Sequence, residues 1–324
     1  MTIPVLLAAA AALALPARPV ATYSIVARDP ATGELGVAVQ SHWFSVGSVV
    51  SWAEPGVGAV ATQSMVEVSY GPEGLRLMRE GKSAKQALEI LLARDSQKDS
   101  RQVAMVDAKG GVAAWTGKLC IPEAGQLAAD GFSVQANMME KSTVWPAMAK
   151  AFEAAKGKPL AERLLAALDA AEAQGGDVRG KQSAALLVVK GTKSKTPWND
   201  RVVDLRVEDA PEPLPELRRL YELDLAYDAM NDGDALLAAG KTDAALARYS
   251  EGMKRAPQVT EMPFWVAVTL FSTGQEEKAL PLFGEVFRKD PRWKVLVPRL
   301  PKVGLLPDDP RKIEAILAAT ERTP

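Results

Sequence analysis

Three prolines at alternate positions, Pro211, Pro213 and Pro215, split the chain into two stretches with different hydrophobic periods. Proline fixes φ and lacks an amide N–H, so such a run neither extends a central strand nor lies inside a helix. Ahead of it, short Val- and Ala-rich runs alternate with Gly/Pro turns. Tyr23–Arg28 and Gly36–Gln40 read as strands joined by a Pro/Gly turn, and Gly47–Trp52 and Gly58–Ser64 as two more. A helical block follows. It stops at Gly81 and restarts at Ser83, where Gln86 three residues on completes a capping box. Residues 101–117 form a hairpin turned at Lys109-Gly110-Gly111, and Gly131–Asn137 is a strand. Helices over about Glu140–Lys156 and Pro159–Gly176 precede a last hairpin, Ser183–Lys190 with Arg201–Val207. This order does not alternate as a doubly wound sheet does. It predicts an α+β fold in which two antiparallel sheets pack together with helix layers outside.

Behind the prolines the chain is helical and repeats itself. Gly240–Pro257 aligns with Gly274–Pro291 at a constant offset of 34: Gly240 with Gly274, Ala245 with Ala279, Leu246 with Leu280, Tyr249 with Phe283, Pro257 with Pro291. Gly233 and Ala267 supply the small residue of the preceding helix. A helix–turn–helix period of that length marks a tetratricopeptide-like array, with Trp293–Leu306 as a closing segment. The domains expected are 1–21, 22–222 and 223–324. The first is a leader. Ile3–Leu15 is an apolar run too short to span a bilayer, and it fits a secretory signal cut after Ala14 or after Ala21. The mature protein is then periplasmic or secreted, with no membrane span.

With a net charge of −1, the chain has no basic field for nucleic acid or an anionic membrane. One histidine, His42, and one cysteine, Cys120, are too few for the usual zinc sites, and neither a metal nor another cofactor is expected. Gly175–Ser183 approaches a phosphate-binding loop, but Gln182 stands where Ser or Thr holds magnesium. A helix also precedes the loop and a strand follows, the reverse of the required order. Within it, Asp177 and Arg179 either form an ion pair that orders the turn or offer a guanidinium to a substrate carboxylate. Ser41 and His42 are adjacent on a strand, point to opposite faces and cannot act on each other. A Cys120–His42 pair stays open, although a buried inert thiol is the simpler reading of Cys120.

Thr22 begins the first strand directly after Val20-Ala21. Its hydroxyl is a weak nucleophile without a base. Cleavage before Thr22 would supply one, because the freed α-amine, with a pKa of about 7.7–8.0, sits on the same residue. A β-branched residue that merely starts a strand is the simpler reading of the same position.

The stretches TYSIVARDPATGELGVAVQSHWFSVG, GVGAVATQS, YGPEGLRLM, RQVAMVD, AAWTG, AERLLAALDAAEAQGGDVRGKQSAALLV and VDLRVED resemble the domain-of-unknown-function family 1028 over about Thr22–Leu220. That family is of the N-terminal-nucleophile (Ntn) hydrolase-like type. The resemblance implies a four-layer αββα sandwich with Thr22 as candidate nucleophile. It also implies a polar set carried here by Asp29, Ser41, His42, Gln63, Tyr70, Arg101, Gln102, Asp177, Arg179 and Gln182. Where the family has Gln-Gly-Asn, this chain has Gln135-Ala136-Asn137, with the Asn137 amide a candidate oxyanion donor. The expected function is exported hydrolysis of a small amide, peptide or cell-wall fragment, with Thr22 and Asn137 catalytic. Ser41, His42, Gln63, Asp177, Arg179 and Gln182 would bind substrate. A non-catalytic binding protein, its repeats holding a peptide, protein or peptidoglycan partner, is the other reading. A homo-oligomer is expected.

Overall fold

The computed structural model describes residues 22–321, so the leader expectation lies outside the described residues. The chain divides into two compact units, Met1–Arg218 and Arg219–Pro324.

In the first unit the elements run β1 (Thr22–Arg28), β2 (Leu35–Ser41), α1 (Gly47–Val50), β3 (Ser51–Glu54), β4 (Gly58–Ser64), α2 (Tyr70–Arg79), α3 (Ala84–Arg94), β5 (Arg101–Asp107) and β6 (Val112–Thr116). They continue with β7 (Gly125–Ala129), β8 (Phe132–Asn137), α4 (Val144–Ala154), α5 (Leu160–Ala173), β9 (Ser183–Val189) and β10 (Arg201–Val207). Two antiparallel sheets result, ordered β10-β9-β2-β1-β8-β7 and β3-β4-β5-β6. They face each other, with α4 and α5 outside the first and α2 and α3 outside the second. The alternation of each strand explains this layering. On β4 and β5, Val60, Val103 and Met105 pack under α2 and α3. Ala59, Ala61, Ala104 and Val106 instead meet Val26, Val37, Val39 and Leu187 between the sheets.

Three local expectations need correction. Gly47–Trp52 is not one strand: Gly47–Val50 is a helical turn and the strand starts at Ser51. A Cβ on Gly47 would lie 2.5 Å from that of Ala185, so the segment is pressed onto β9. The Val46 N–H bonds Ser183 Oγ at 3.0 Å rather than a strand partner. The helix expected from Glu140 starts at Val144, because Glu140 N–H is used on the Gly176 carbonyl and Thr143 Oγ1 on Gln174. Strand β7 was not foreseen. Its sequence, Gly-Gln-Leu-Ala-Ala, has low strand propensity and is ordered by pairing with β8. The Gly81 stop and the Ser83/Gln86 capping box are present.

In the second unit, α6 (Pro213–Ala238), which begins in the first, is followed by α7 (Thr242–Arg255), α8 (Glu261–Ser272), α9 (Glu276–Lys289) and α10 (Pro310–Leu317). The repeat in the sequence recurs in the backbone. The ends of α6 and α8, and both ends of α7 and α9, lie 34 residues apart, and Gly240 and Gly274 both take positive φ. Ala245, Ala279, Tyr249 and Phe283 are all core residues. A Cβ on Gly233 would meet the Tyr249 ring at 2.3 Å, so helix contact there requires glycine. Val297, Leu300 and Leu306 of the closing segment are buried in the same core. No helix among the described residues is long and apolar enough to cross a membrane.

Candidate active site

Register places Thr22 between two polar neighbours, Ser41 on β2 and Asn137 on β8, with Ser183 of β9 beyond Ser41. In the facing sheet Gln63, Gln102 and Thr116 form one cross-strand row. These side chains meet at one end of the space between the sheets, and Thr22, Ser24, Ser41, Gln63, Gln102, Gln135 and Asn137 are all fully buried there. Thr22 begins β1 as expected, and its side chain is completely buried there.

Unpaired polar groups at that depth are unfavourable, and this set is almost completely bonded. Thr22 Oγ1 donates to Ser41 Oγ at 3.2 Å. Gln63 Nε2 donates to the Thr22 carbonyl at 3.1 Å and to Gln102 Oε1 at 2.7 Å. Ser24 Oγ donates to Gln63 Oε1 and accepts from Gln135 Nε2, both at 2.6 Å. Gln102 Nε2 faces three acceptors, Thr116 Oγ1 at 2.8 Å and the carbonyls of Gly125 at 3.2 Å and Ala136 at 2.8 Å. Those carbonyls fix the orientation of the Gln102 amide, since a carbonyl only accepts. Its Oε1 must then receive donors, which are Gln63 Nε2 and, at 2.9 Å, Asn137 Nδ2.

That orientation settles what Asn137 has to offer. Its N–H group faces Gln102, and its buried Oδ1 has no partner among the described residues. An oxyanion hole needs donors. Asn137 therefore presents Oδ1 as an acceptor and has used one of its two amide hydrogens on Gln102, so the oxyanion-donor role expected for it would fall to the second. Two non-glycine residues with positive φ flank the cluster, Ser64 at 69° directly after Gln63 and Met138 at 59° directly after Asn137. Such conformations cost about 1–3 kcal/mol each and concentrate at functional sites.

Beside the cluster, Asp177 organises the loop ahead of β9. Its side chain is fully buried. Oδ2 accepts from His42 N–H at 3.1 Å and from Arg179 NH2 at 2.8 Å, and Oδ1 accepts from Arg179 N and Nε. The ion pair that orders the turn is formed. His42 Nδ1 lies 3.3 Å from the Lys181 carbonyl and so carries its proton there. Gln182 is turned away, with Nε2 on Asp209 Oδ1. Cys120 Sγ donates to the Arg101 carbonyl at 3.3 Å, and burial pushes its thiol pKa up, so it is a structural thiol with no bond to His42.

The rest of the polar set is structural. Asp29 takes the Ala31 and Thr32 amides and pairs with Arg163 at 3.0 Å, at the far end of β1. Tyr70 and Arg101 converge on Asp95. On the helix side of β1, Tyr23 OH bonds Glu172 at 2.6 Å. Burial, then the Glu172 charge, hold its pKa well above the usual phenol value. Ser24 and Gln135, both fully buried, and the half-buried Thr116 are members of the cluster that sequence reasoning missed. The signal was available on two strands: Ser24 is in phase with Val26, and Thr116 with Val112 and Ala114, whereas the inward positions of β8, Ser133, Gln135 and Asn137, are all polar.

A family model described as a family of unknown function, DUF1028, matches residues 22–217. Among solved structures, the chain is similar to protein SPO2555 from Silicibacter pomeroyi, itself assigned to DUF1028. The two share 32% identity over 62% of this chain and 88% of that one, with a TM-score of 0.55. It is also similar to Anbu, the ancestral beta-subunit, from Yersinia bercovieri, at 11% identity over 62% of this chain and 93% of that one, with a TM-score of 0.33. No curated protein matches. The family match covers more than half of the chain, and the chain belongs to the DUF1028 family.

Proposed function

We propose that the first unit is an Ntn-type amide hydrolase and that Thr22 is its nucleophile, exposed when an export leader is removed. One observation carries the reading. Thr22 opens β1 with its hydroxyl 3.2 Å from Ser41 Oγ, inside a buried cluster of neutral hydrogen-bonding groups at one end of the space between two sheets. Cleavage before Thr22 leaves a primary amine on the residue that carries the hydroxyl. The amine takes the hydroxyl proton as Oγ1 attacks an amide carbonyl, and it delivers that proton to the nitrogen of the breaking C–N bond. Water then attacks the threonine ester, its proton passes through the amine to Oγ1, and a carboxylic acid leaves. Asn137 Oδ1 accepts from the new ammonium or from a substrate N–H. Ser41 and Gln63 hold Thr22 in place, and Asp177 with Arg179 shapes the loop beside His42. Gln182 enters only through its backbone, which accepts from Ala210 and donates to Ser41.

The second unit fits a tetratricopeptide-like module, supported by the recurrence at 34 residues, and a peptide, protein or peptidoglycan strand is the partner class suited to such a surface. The test of the enzyme reading is Thr22→Ala. Purified after export, it should hold its fold and lose amide hydrolysis entirely, while Cys120→Ala retains full rate. Wild-type turnover by Thr22→Ala would place the chemistry elsewhere.

A further inference from the structure

The first unit has six exposed large apolar residues among those described: Phe44, Val68, Leu119, Ile121, Val178 and Trp198. Scattered single residues of this kind are normal on a protein surface, but these are not scattered. Trp198 lies between β9 and β10, at the end away from Thr22. The other five sit on loops that leave the strand ends around Thr22: after β2, after β4, between β6 and β7, and before β9. Hydrogen bonds tie these loops together. The Ile121 carbonyl accepts from Met138 N–H, and the Met138 carbonyl from Val178 N–H. Asp177, next to Val178, holds His42, two residues before Phe44. Leu119 N–H bonds Asp99, and Met65 N–H bonds the adjacent Ser100. Phe44, Leu119 and Val178 are each more than half exposed, at 64%, 65% and 58%.

The cations at this end are paired, while Glu67 and Glu123 form no ion pair among the described residues. Lys181 meets Glu172 and Glu212, Arg179 meets Asp177, and Lys118 meets Asp99. This balance offers no spare cation to an anionic ligand. A single acyl chain would need one continuous apolar channel. A cavity at this end, about 470 Å³, is lined by polar and small groups that include Thr116, Lys118, Cys120, Glu123 and Gln126. Apolar side chains distributed around a polar mouth suit a ligand with a polar backbone and several apolar side chains. Asn137 Oδ1, buried and without a partner among the described residues, calls for an N–H from that backbone.

We infer that this site takes a peptide with apolar side chains flanking the amide to be cut, an inference that rests on Thr22 as nucleophile for its cleavage step. Binding is measured by calorimetry on the mature Thr22→Ala chain with three probes: a capped pentapeptide of leucine, valine and phenylalanine, a capped pentapeptide of aspartate, lysine and glycine, and N-octanoylglycinamide. The apolar peptide should bind at least about tenfold more tightly than either of the others. Phe44→Ser combined with Val178→Ser should lower that affinity about tenfold, and Trp198→Ser should leave it unchanged. Equal binding of the three probes, preference for the acyl glycinamide, or indifference to the double substitution overturns the inference. Wild-type mature protein should cut the apolar peptide. Binding without cutting would refute Thr22 as nucleophile and leave the peptide assignment standing.

Discussion

The space between the sheets has two halves built on the same strands. At one end Val26, Val37, Val106 and Val189 pack as an ordinary apolar core. At the other, the same inward phase carries Thr22, Ser24, Gln63, Gln102, Gln135 and Asn137. Both halves are fully buried, so burial alone does not tell them apart. The apolar half is held by area, which is non-directional and tolerant. The polar half is held by bonds of fixed direction, and its members have few alternatives. The polar half also contains only alcohols and amides, so its cohesion needs no particular ionisation state. In the proposed mechanism, such a site would leave the α-amine of a Thr22 freed by cleavage as its titrating group.

The largest expected effect comes from Gln102→Leu. Gln102 serves Thr116, Gly125, Ala136, Gln63 and Asn137 at once. Its loss strands several buried groups at about 1–3 kcal/mol each, so destabilisation on the order of 3–5 kcal/mol is expected by urea unfolding. Val106→Ala in the apolar half should cost about 2 kcal/mol, for two buried methyl groups and a small cavity. If the two substitutions cost the same, the polar half is no more constrained than the apolar one.

Acid should separate the regions further. Burial raises the Asp29 pKa, but the Thr32 and Ala31 amides and then Arg163 outweigh it, and the net shift is downward. A lowered carboxyl pKa contributes stability above its unfolded value of about 3.9, and the contribution is lost as pH falls through the folded value. Asp29→Asn should therefore cost about 2 kcal/mol at pH 7 and progressively less below pH of about 4. The Gln102→Leu deficit should stay constant over the same range. Urea midpoints at several pH values check both, and a Gln102→Leu deficit that shrinks in acid would put a titrating group into the polar half.

The smallest effect runs in the opposite direction. Gln40 is fully buried on the helix side of β2, and neither its amide nitrogen nor its oxygen has a partner among the described residues. Gln40→Met keeps the volume and removes two unsatisfied atoms, so stability should rise by about 1 kcal/mol. A loss of stability would mean that the Gln40 amide is bonded after all, and the contrast with Gln102 would fail.

Much of this was legible in the sequence. The apolar runs of Tyr23–Arg28 and Gly58–Ser64 bounded by Gly/Pro turns, the Gly81 stop, the Ser83–Gln86 box and the 34-residue recurrence are local signals, and local physics sets them. Gly47–Val50 misled because Val-Val pairs read as strand, while the contact with Ala185 that bends the segment is far away in sequence. The wiring of the site was hidden for the same reason. Ser24 meets Gln63 across 39 residues and Gln135 across 111. The Asn137 amide was read as a donor because asparagine can donate. Only the three acceptors around Gln102 Nε2 show which end of Asn137 is in use.

The central claim is that Thr22 becomes an N-terminal nucleophile. Intact mass and N-terminal sequencing of the protein, produced with its own leader and recovered after export, test it most directly. The mature chain should begin at Thr22, and Thr22→Ala made in the same way should be folded and inactive toward every amide that the wild type cuts. A stable mature protein that starts at Leu15 or Met1 and hydrolyses those amides at full rate would contradict the account, because Thr22 would then have no free amine to act as its base.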